Sequence, residues 1–460
     1  MSRQRGLSGL SGGEKDQLLA DLRAAKSTKR DRKSAPRRQA GSGKSQPKAY
    51  DFSQLEDYRQ IRMQAAAAEM IGIENPFFRA HEALAKDTTL LGNRTLINFS
   101  SYNYLGLNGH PEVSDAAKRA IDRYGTSVSA SRVVAGERPI HKELEQTLAR
   151  LHGVEDCVVM VSGHATNVTT IGHLLGPEDV IFCDALSHNS IVEGAKLSGA
   201  SRLMFTHNDL DALEDMLLAN RSAHRRALIA VEGLYSMDGD IPDLPKLIAL
   251  KRRYNCWLLV DEAHSIGVLG ATGRGIAEHF HIDPNEVEIW MGTLSKTFSG
   301  CGGYIAGSKA LVEYLKVTAP GFVYSVGLAA PLAAAAIAST EVFLREPERV
   351  AKLKENGHLF VRLAKEAGLD TGESAGYSVV PVIVGDSVRA AMLTGRLKDR
   401  GFNVLPIIFP AVPEKSARLR FFITSEHSEE QIRQAVEATA EELKALREAG
   451  PLVVGRPVAE

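Results

Sequence analysis

The chain has 460 residues, enough for two or three folding units at roughly 100–200 residues each. Hydrophobic residues make up 44% and aromatics 6%, the balance of a soluble α/β core rich in Ala, Val, Leu and Ile. A net charge of −1 gives the whole molecule no electrostatic attraction for nucleic acid or an anionic membrane. Residues 1–45 nevertheless hold twelve Lys/Arg against four Asp/Glu, which leaves about −9 on the remainder. Cys157, Cys183, Cys256 and Cys301 form no C-x-x-C pair, which argues against a disulfide framework or zinc cluster and predicts reduced core thiols. The polar N-terminus carries no secretory pattern. The Ala-rich run Val326 to Ala338 is too short to cross a bilayer and contains Pro331, so no transmembrane segment and a cytoplasmic location are expected.

Residues 1–47 read as a weakly ordered basic tail. Arg30 to Ser45 is Ser/Gly-rich and nearly free of apolar residues, so it cannot bury enough surface to offset ordering entropy. One short amphipathic helix, with Leu18, Leu19 and Leu22 on one side, is expected before it. Residues 48–100 form the next segment, helical from about Tyr50 to Ala85, with a hairpin around Thr89–Phe99 turning at Gly92-Asn93. Residues 101–335 form the large domain. Short apolar runs (Cys157–Val161, Val180–Cys183, Ala227–Val231, Trp257–Val260, Ile289–Gly292, Tyr304–Ala306) alternate there with helical stretches. Such alternation means βαβ units, a mostly parallel sheet and helices on both faces. Residues 336–460 form a smaller C-terminal α+β domain. It is entered through a helix at Leu332–Leu344 and holds strands at Val379–Val384 and Ala417–Ile423. Its final helix starts at Ser428, with Ser428 as N-cap and Gln431 three residues on.

Functional groups of a parallel sheet gather at the carboxyl ends of its strands, and the candidate residues fall there. Lys296, in Gly292-Thr293-Leu294-Ser295-Lys296, lies thirty-five residues after Asp261, in Val260-Asp261-Glu262-Ala263-His264. A lysine amine forms a Schiff base with an aldehyde cofactor, and a buried carboxylate keeps a pyridine nitrogen protonated; pyridoxal phosphate needs both. His264 is three residues beyond Asp261, within reach of a ring oxygen. Ser162-Gly163-His164 ends a strand and opens a helix, an anion site built from backbone N–H groups and the helix dipole. Thr293 adds a hydroxyl. His188, in Asp184 to Ser190, follows another strand end and suits stacking on a flat ring. Ser236 offers a donor in the Glu232–Asp240 loop, and Arg420 is a candidate carboxylate partner. Gly41-Ser42-Gly43-Lys44-Ser45 and Asp261-Glu262-Ala263-His264 together spell parts of an ATP-driven motor. Position 38 is Arg38 rather than the required glycine, however, and no strand precedes the loop.

The ordered set Asn103-Tyr104-Leu105-Gly106, Ser187-His188-Asn189-Ser190, Glu232-Gly233 through Asp240, Asp261 to His264 with Gly267, Gly273-Arg274-Gly275, Gly292 to Lys296, and Arg420 with His427 resembles the α-oxoamine synthases. These belong to the aspartate-aminotransferase-like fold-type I group of pyridoxal-phosphate enzymes and include 8-amino-7-oxononanoate, 5-aminolevulinate, glycine C-acetyltransferase and serine palmitoyltransferase members. The resemblance covers about residues 50–445. It implies a large domain on a mostly parallel seven-stranded sheet plus the small α+β domain, and a homodimer with shared active sites. It also implies that Lys296 is the Schiff-base lysine, Asp261 the pyridinium partner, His264 a ring-oxygen contact and His188 the stacking ring. Ser162, Gly163 and Thr293 would bind phosphate, with Ser325 reaching the neighbouring subunit's phosphate. Asn103 and Arg420 would lie near the substrate carboxylate. His164 stands where several members have Phe or Tyr, which leaves its role open.

The reaction so implied is a decarboxylative Claisen condensation of a small amino acid with an acyl thioester, giving an α-amino ketone, CO2 and thiol, with no metal. Another fold-type I enzyme, such as an aminotransferase, is the alternative, and a non-catalytic interaction subunit the third reading. Glycine, alanine and serine are all open, as are acyl length and the carrier, coenzyme A or acyl carrier protein. Leu7 to Leu19 is similar to linkers of modular polyketide and peptide synthases, so the basic tail is a candidate docking segment for a carrier protein or synthase subunit.

Overall fold

The computed structural model describes residues 51–449. The basic tail and its candidate helix lie outside them. Contacts divide the described residues into two units, 51–78 and 79–449.

In the first unit the Asp51 carboxylate accepts the Ser53 N–H at 3.0 Å and opens a short turn, Phe52–Gln54. A helix follows over Glu56–Met70, with Glu56 and Asp57 in its first turn, where negative charge favours the helix dipole. The helical pattern expected to reach Ala85 stops at Ile71. Gly72 takes a φ of 74°, and Asn75-Pro76 follows, where proline forces the preceding residue into extended backbone.

The second unit opens with a hairpin, β1 (Thr88–Leu91) and β2 (Arg94–Asn98), whose two-residue loop places Gly92 at a φ of 62°. The central sheet has seven strands: β3 (Asp156–Met160), β4 (Val180–Asp184), β5 (Ser201–Phe205), β6 (Ala227–Glu232), β7 (Trp257–Asp261), β8 (Ile289–Thr293) and β9 (Gly303–Gly307), in the order β3-β9-β8-β7-β6-β4-β5. Only β9 runs against its neighbours. Residues 294–302 join β8 to β9, too few for the crossover that a parallel pair needs, so the chain must return antiparallel. That short return carries Lys296.

Both faces of the sheet are covered. Val159, Phe182, Ile229 and Leu258 pack in one core, and their neighbours Val158, Ile181, Leu228 and Leu259 in the other. This period of two explains why the inner strands read as unbroken apolar runs. Strand β5 was not foreseen. It is an edge strand, with Ser201 and Arg202 exposed, so its apolar run is confined to Leu203-Met204-Phe205. Each fully buried Leu, Ile, Val or Phe contributes about 1.5–3 kcal/mol. An exposed ion pair such as Lys118–Asp115 contributes at most about 1 kcal/mol. The two cores, not the surface charges, therefore hold the sheet.

The smaller α+β portion contains β10 (Val379–Gly385), β11 (Phe402–Asn403), β12 (Leu405–Ile407) and β13 (Ala417–Phe422). Strands β10, β13 and β12 form an antiparallel sheet with β13 at its centre, and β11 pairs in parallel with β2. Helices Glu348–Glu366, Ser387–Asp399 and Glu429–Glu448 accompany them. Ser428 caps the last helix in a reciprocal box with Gln431. His427 stacks on Phe99 at 4.3 Å, accepts the Thr424 N–H, and is depressed by burial to a pKa of about 4, so it is a neutral packing residue. Cys157, Cys183 and Cys256 are buried as expected, but Cys301 is exposed, because the Gly-rich return after Lys296 leaves little to cover it.

Candidate active site

A cavity of about 330 Å³ opens at the carboxyl edge of the central sheet. Asp261 at the end of β7 and Lys296 after β8 both line it, together with Ser162, Gly163, His164, His188, Ser236, His264, Thr293 and Arg420. Groups from five strand ends thus converge, although they lie as far apart as residues 162 and 420 in the chain.

One end of the cavity is an anion cradle. Ser162 caps the twelve-residue helix Gly163–Leu174, whose free N–H groups and dipole attract negative charge. A Cβ on Gly163 would come within 2.7 Å of Thr293 Oγ1, so only glycine leaves this floor open. Thr293 Oγ1 lies 2.8 Å from Ser295 Oγ, and it donates to the Gly302 carbonyl at 3.1 Å.

Asp261 is buried, yet its carboxylate accepts N–H groups from Asn167 at 2.8 Å and Ala263 at 2.9 Å. It therefore stays oriented and able to hold a protonated ring nitrogen. Desolvation lowers the Lys296 amine to a pKa of about 8, against the opposing pull of Asp261 and Glu232. That value makes it both a usable nucleophile and a usable base near neutral pH. His264 is buried and pushed well below the usual imidazole range by desolvation, then by Lys296 and Arg420, so it is neutral. Its Nδ1 lies 2.7 Å from the Tyr104 hydroxyl, which fixes the ring. His188 opens onto the cavity, and its pKa is also lowered by burial.

The opposite wall comes from β13. Arg420 Nη1 donates to the Ser236 carbonyl at 2.7 Å, its guanidinium lies 4.7 Å from the Phe422 ring, and its Nε is buried without a partner. Arg418, on the same strand, pairs with Asp238. The loop that carries Ser236 is held from its other side by His207. That ring binds Asp184 at 2.8 Å through Nδ1 and Asp240 at 2.9 Å through Nε2. Burial opposes its charge, but these two carboxylates outweigh burial and raise its pKa to about 10.

Asn103 and Ser325 do not line this cavity, and for Ser325 the expected contact was with the neighbouring subunit's phosphate. Asn103 does not face the cavity: its Nδ2 donates to the Ala85 carbonyl at 2.9 Å and its Oδ1 accepts the Asn108 N–H at 3.0 Å, which ties it into local backbone. Its neighbour Tyr102 lines the cavity instead, with its ring centre 5.6 Å from Lys296 Nζ. Ser325 lies in a separate crevice with Val161 and Phe322, where the return from the helix Pro320–Val323 carries it. His164 is at the rim, 3.2 Å from Asn189 Oδ1 and edge-on to His188.

Sequence reasoning assigned no role to Glu232, which is buried in the wall. Burial, then Asp261, raises its pKa to about 8; one oxygen accepts the Ser236 N–H and the other has no partner. The signal was present, since Glu232 ends β6 as Asp261 ends β7, and parallel pairing puts them side by side. Asn167 was missed because it is a small polar residue inside a helix with no pattern to mark it, and Ser190, although it closes the motif Ser187 to Ser190, was given no role of its own.

The donor set fits pyridoxal phosphate. The glycine-floored cradle suits a phosphate, the partly desolvated lysine an aldehyde, and the oriented carboxylate a pyridinium. The family model for aminotransferase class I and II matches residues 94–438. The 8-amino-7-oxononanoate synthase of Symbiobacterium thermophilum is 40% identical over 352 residues, 76% of this chain and 89% of that protein. The 4-hydroxy-2,2'-bipyrrole-5-methanol synthase PigH of a Serratia species is 40% identical over 366 residues, 80% of this chain, but the chain spans only about half of that relative, 54%. Among solved structures, a serine palmitoyltransferase of Sphingomonas wittichii superposes with a TM-score of 0.81 at 28% identity, covering 86% of this chain and 99% of that one. A serine palmitoyltransferase of S. paucimobilis with bound PLP reaches 0.82 at 26% identity, covering 86% and 99%. The fold, the cavity chemistry and these likenesses agree: the chain belongs to the α-oxoamine synthases of the class I and II aminotransferase family, fold-type I enzymes that depend on pyridoxal phosphate.

Proposed function

We propose that this enzyme joins a small amino acid (glycine, alanine or serine) to the acyl group of a thioester and releases CO2 and thiol. The observation that carries the reading is the shared cavity of Lys296 and Asp261, with Arg420 on its far wall. When bound, pyridoxal phosphate supplies an electron sink that makes the bond-breaking at the amino acid's α-carbon accessible. Ser162, Gly163 and Thr293 would hold its phosphate, Asp261 would keep its ring nitrogen protonated, His188 would pack against its ring and His264 would meet its ring oxygen.

The residues then divide the work. Arg420 takes the amino acid's carboxylate through the capacity left on its guanidinium. Lys296, near pKa 8, removes the proton from the α-carbon. The exposed carbon bonds to the thioester carbonyl, and the thiolate leaves. Neutral His264 stabilises the oxyanion that develops there. Loss of CO2 and return of a proton to the same carbon from Lys296 give the α-amino ketone. The basic tail, outside the described residues, is the docking segment we assign to a carrier protein or a synthase subunit. The family resemblance supports a homodimer with shared active sites.

Lys296→Ala tests the reading. The variant loses the cofactor's visible absorption and all CO2 release from amino acid plus acyl thioester. Retained turnover would refute the role of Lys296. Formation of a 2-oxo acid by the unaltered enzyme, without CO2 or free thiol, would assign it to transamination instead.

A further inference from the structure

We propose that Asn167 and Ser190 are positioning residues: they relay the ionised state of Asp261 to His188 and hold its imidazole as the Nε2–H tautomer. The inference rests on the reading above, in which Asp261 is the anionic partner of a pyridinium.

The chain of contacts is continuous. Asn167 Nδ2 donates to Asp261 Oδ2 at 2.8 Å and to Ser190 Oγ at 2.9 Å. Ser190 Oγ lies 2.8 Å from His188 Nδ1, and the Ser190 backbone N–H donates to that same nitrogen at 3.3 Å. Asn167 and Ser190 are both fully buried, so water does not compete for these groups.

Proton counting fixes the direction of the relay. A backbone amide can only donate, so Nδ1 accepts and carries no proton. An ionised Asp261 can only accept, and its Oδ1 already takes the Ala263 N–H. Asn167 must therefore present its NH2 group, one proton going to Asp261 and the other to Ser190 Oγ. That hydroxyl, having accepted, keeps its single proton, and with Nδ1 an acceptor of the Ser190 N–H it is His188 Nδ1 that receives it. The proton of the neutral ring is then on Nε2.

The amide orientation of Asn167 supports this. Its Oδ1 is buried without a partner, a defect that a flip would not repair cheaply. Flipping would set a carbonyl oxygen against the Asp261 carboxylate and abandon both donations. The charged surroundings agree with a neutral ring: burial lowers the His188 pKa, and Lys296, His164 and Arg420 oppose the pull of Asp261. The consequence is a ring in the cavity wall with one free donor and no free acceptor, suited to a carboxylate or carbonyl oxygen of the substrate.

The test is the tautomer itself, read in the holoenzyme labelled with 15N-histidine, with His188 assigned from the spectrum of His188→Asn. Two-bond proton–nitrogen correlations in the unaltered enzyme should show Nδ1 in the acceptor range and Nε2 as N–H. Ser190→Ala keeps the longer backbone donation but loses the closer hydroxyl, so it should raise the Nδ1–H fraction and increase KM for the amino acid about fivefold, with the visible cofactor absorption retained. Ser190→Thr, which keeps a hydroxyl, should restore both. Asn167→Leu, which removes both donations, is the second variant and should shift the tautomer in the same sense. An Nδ1–H or doubly protonated ring in the unaltered enzyme overturns the proposal, as does an unchanged tautomer ratio in Ser190→Ala and Asn167→Leu. Absence of the visible band in the unaltered enzyme would instead strike the cofactor reading.

Discussion

The two walls of the cavity differ in how completely their polar groups are paired. Along the edge of the central sheet, Asp261 already accepts two N–H groups, Thr293 bonds Ser295 and Gly302, and His264 is locked to Tyr104. Across the cavity, Arg420 makes one bond to the Ser236 carbonyl and keeps a buried Nε without a partner. Paired groups do not need to reorganise when a cofactor arrives, which is how a site gains electrostatic stabilisation without an ordering cost at the moment of reaction. Unpaired ones retain the hydrogen-bonding capacity that a carboxylate can take up. The sheet edge is thus a preformed cofactor wall and β13 a wall that waits for substrate.

Variants that attack each wall separately can break this contrast. Asp261→Asn removes the charge that the cofactor wall is built around; turnover should fall by roughly two to three orders of magnitude, measured as CO2 release, with the protein still folded by circular dichroism. Arg420→Lys keeps the charge but loses the planar fork. KM for the amino acid should rise about 10- to 100-fold with a smaller change in kcat, since a bond to a charged group contributes about 1.5–3 kcal/mol; an equal fall in kcat alone would place Arg420 in the chemistry rather than in binding. The rate at which the apo protein captures pyridoxal phosphate should follow the free amine of Lys296. It should rise about tenfold per pH unit up to about 8 and level off above, because below that value the ammonium form dominates; a flat profile would contradict the lowered pKa.

The smallest effect on turnover is expected at His207, which touches neither wall's ligand but anchors the loop between them. Its pKa is raised from 6.5 to about 10 in the folded chain. The stabilisation is therefore complete below pH 6.5, declines above it, and is gone beyond pH 10. His207→Ala should cost roughly 1–3 kcal/mol in denaturant unfolding at pH 6, and the difference from the unaltered enzyme should vanish above pH 10.

Much of the cofactor wall was legible in the linear chain. Asp261, Thr293 and Lys296 follow apolar runs, and a residue that ends such a run in a parallel sheet stands at its carboxyl edge whatever else the chain does. The motif order singled out His188 and His264 for the same reason. Asn103 came from the family resemblance and not from a strand end. Adjacent residues in a loop point in different directions, and the backbone after β2 turns Tyr102, not Asn103, toward Lys296. Strand β5 was not read because an edge strand opens on exposed polar residues, Ser201 and Arg202, and keeps only a short apolar stretch, and the N-terminal helix ended early because Gly72 and Pro76 outweighed its helical composition.

Local chemistry in the sequence determined the sheet's apolar strands, the lysine and carboxylate at their ends, and the glycine floor of the anion cradle, since each depends on a residue and its immediate neighbours. Only the folded chain decided which distant side chains complete the site. Glu232 meets Asp261 through strand pairing, Arg420 meets Ser236 across 184 positions, and Asn167 links Asp261 to Ser190. Those contacts are fixed by packing between elements remote in sequence, where direction and distance matter and residue type alone carries neither.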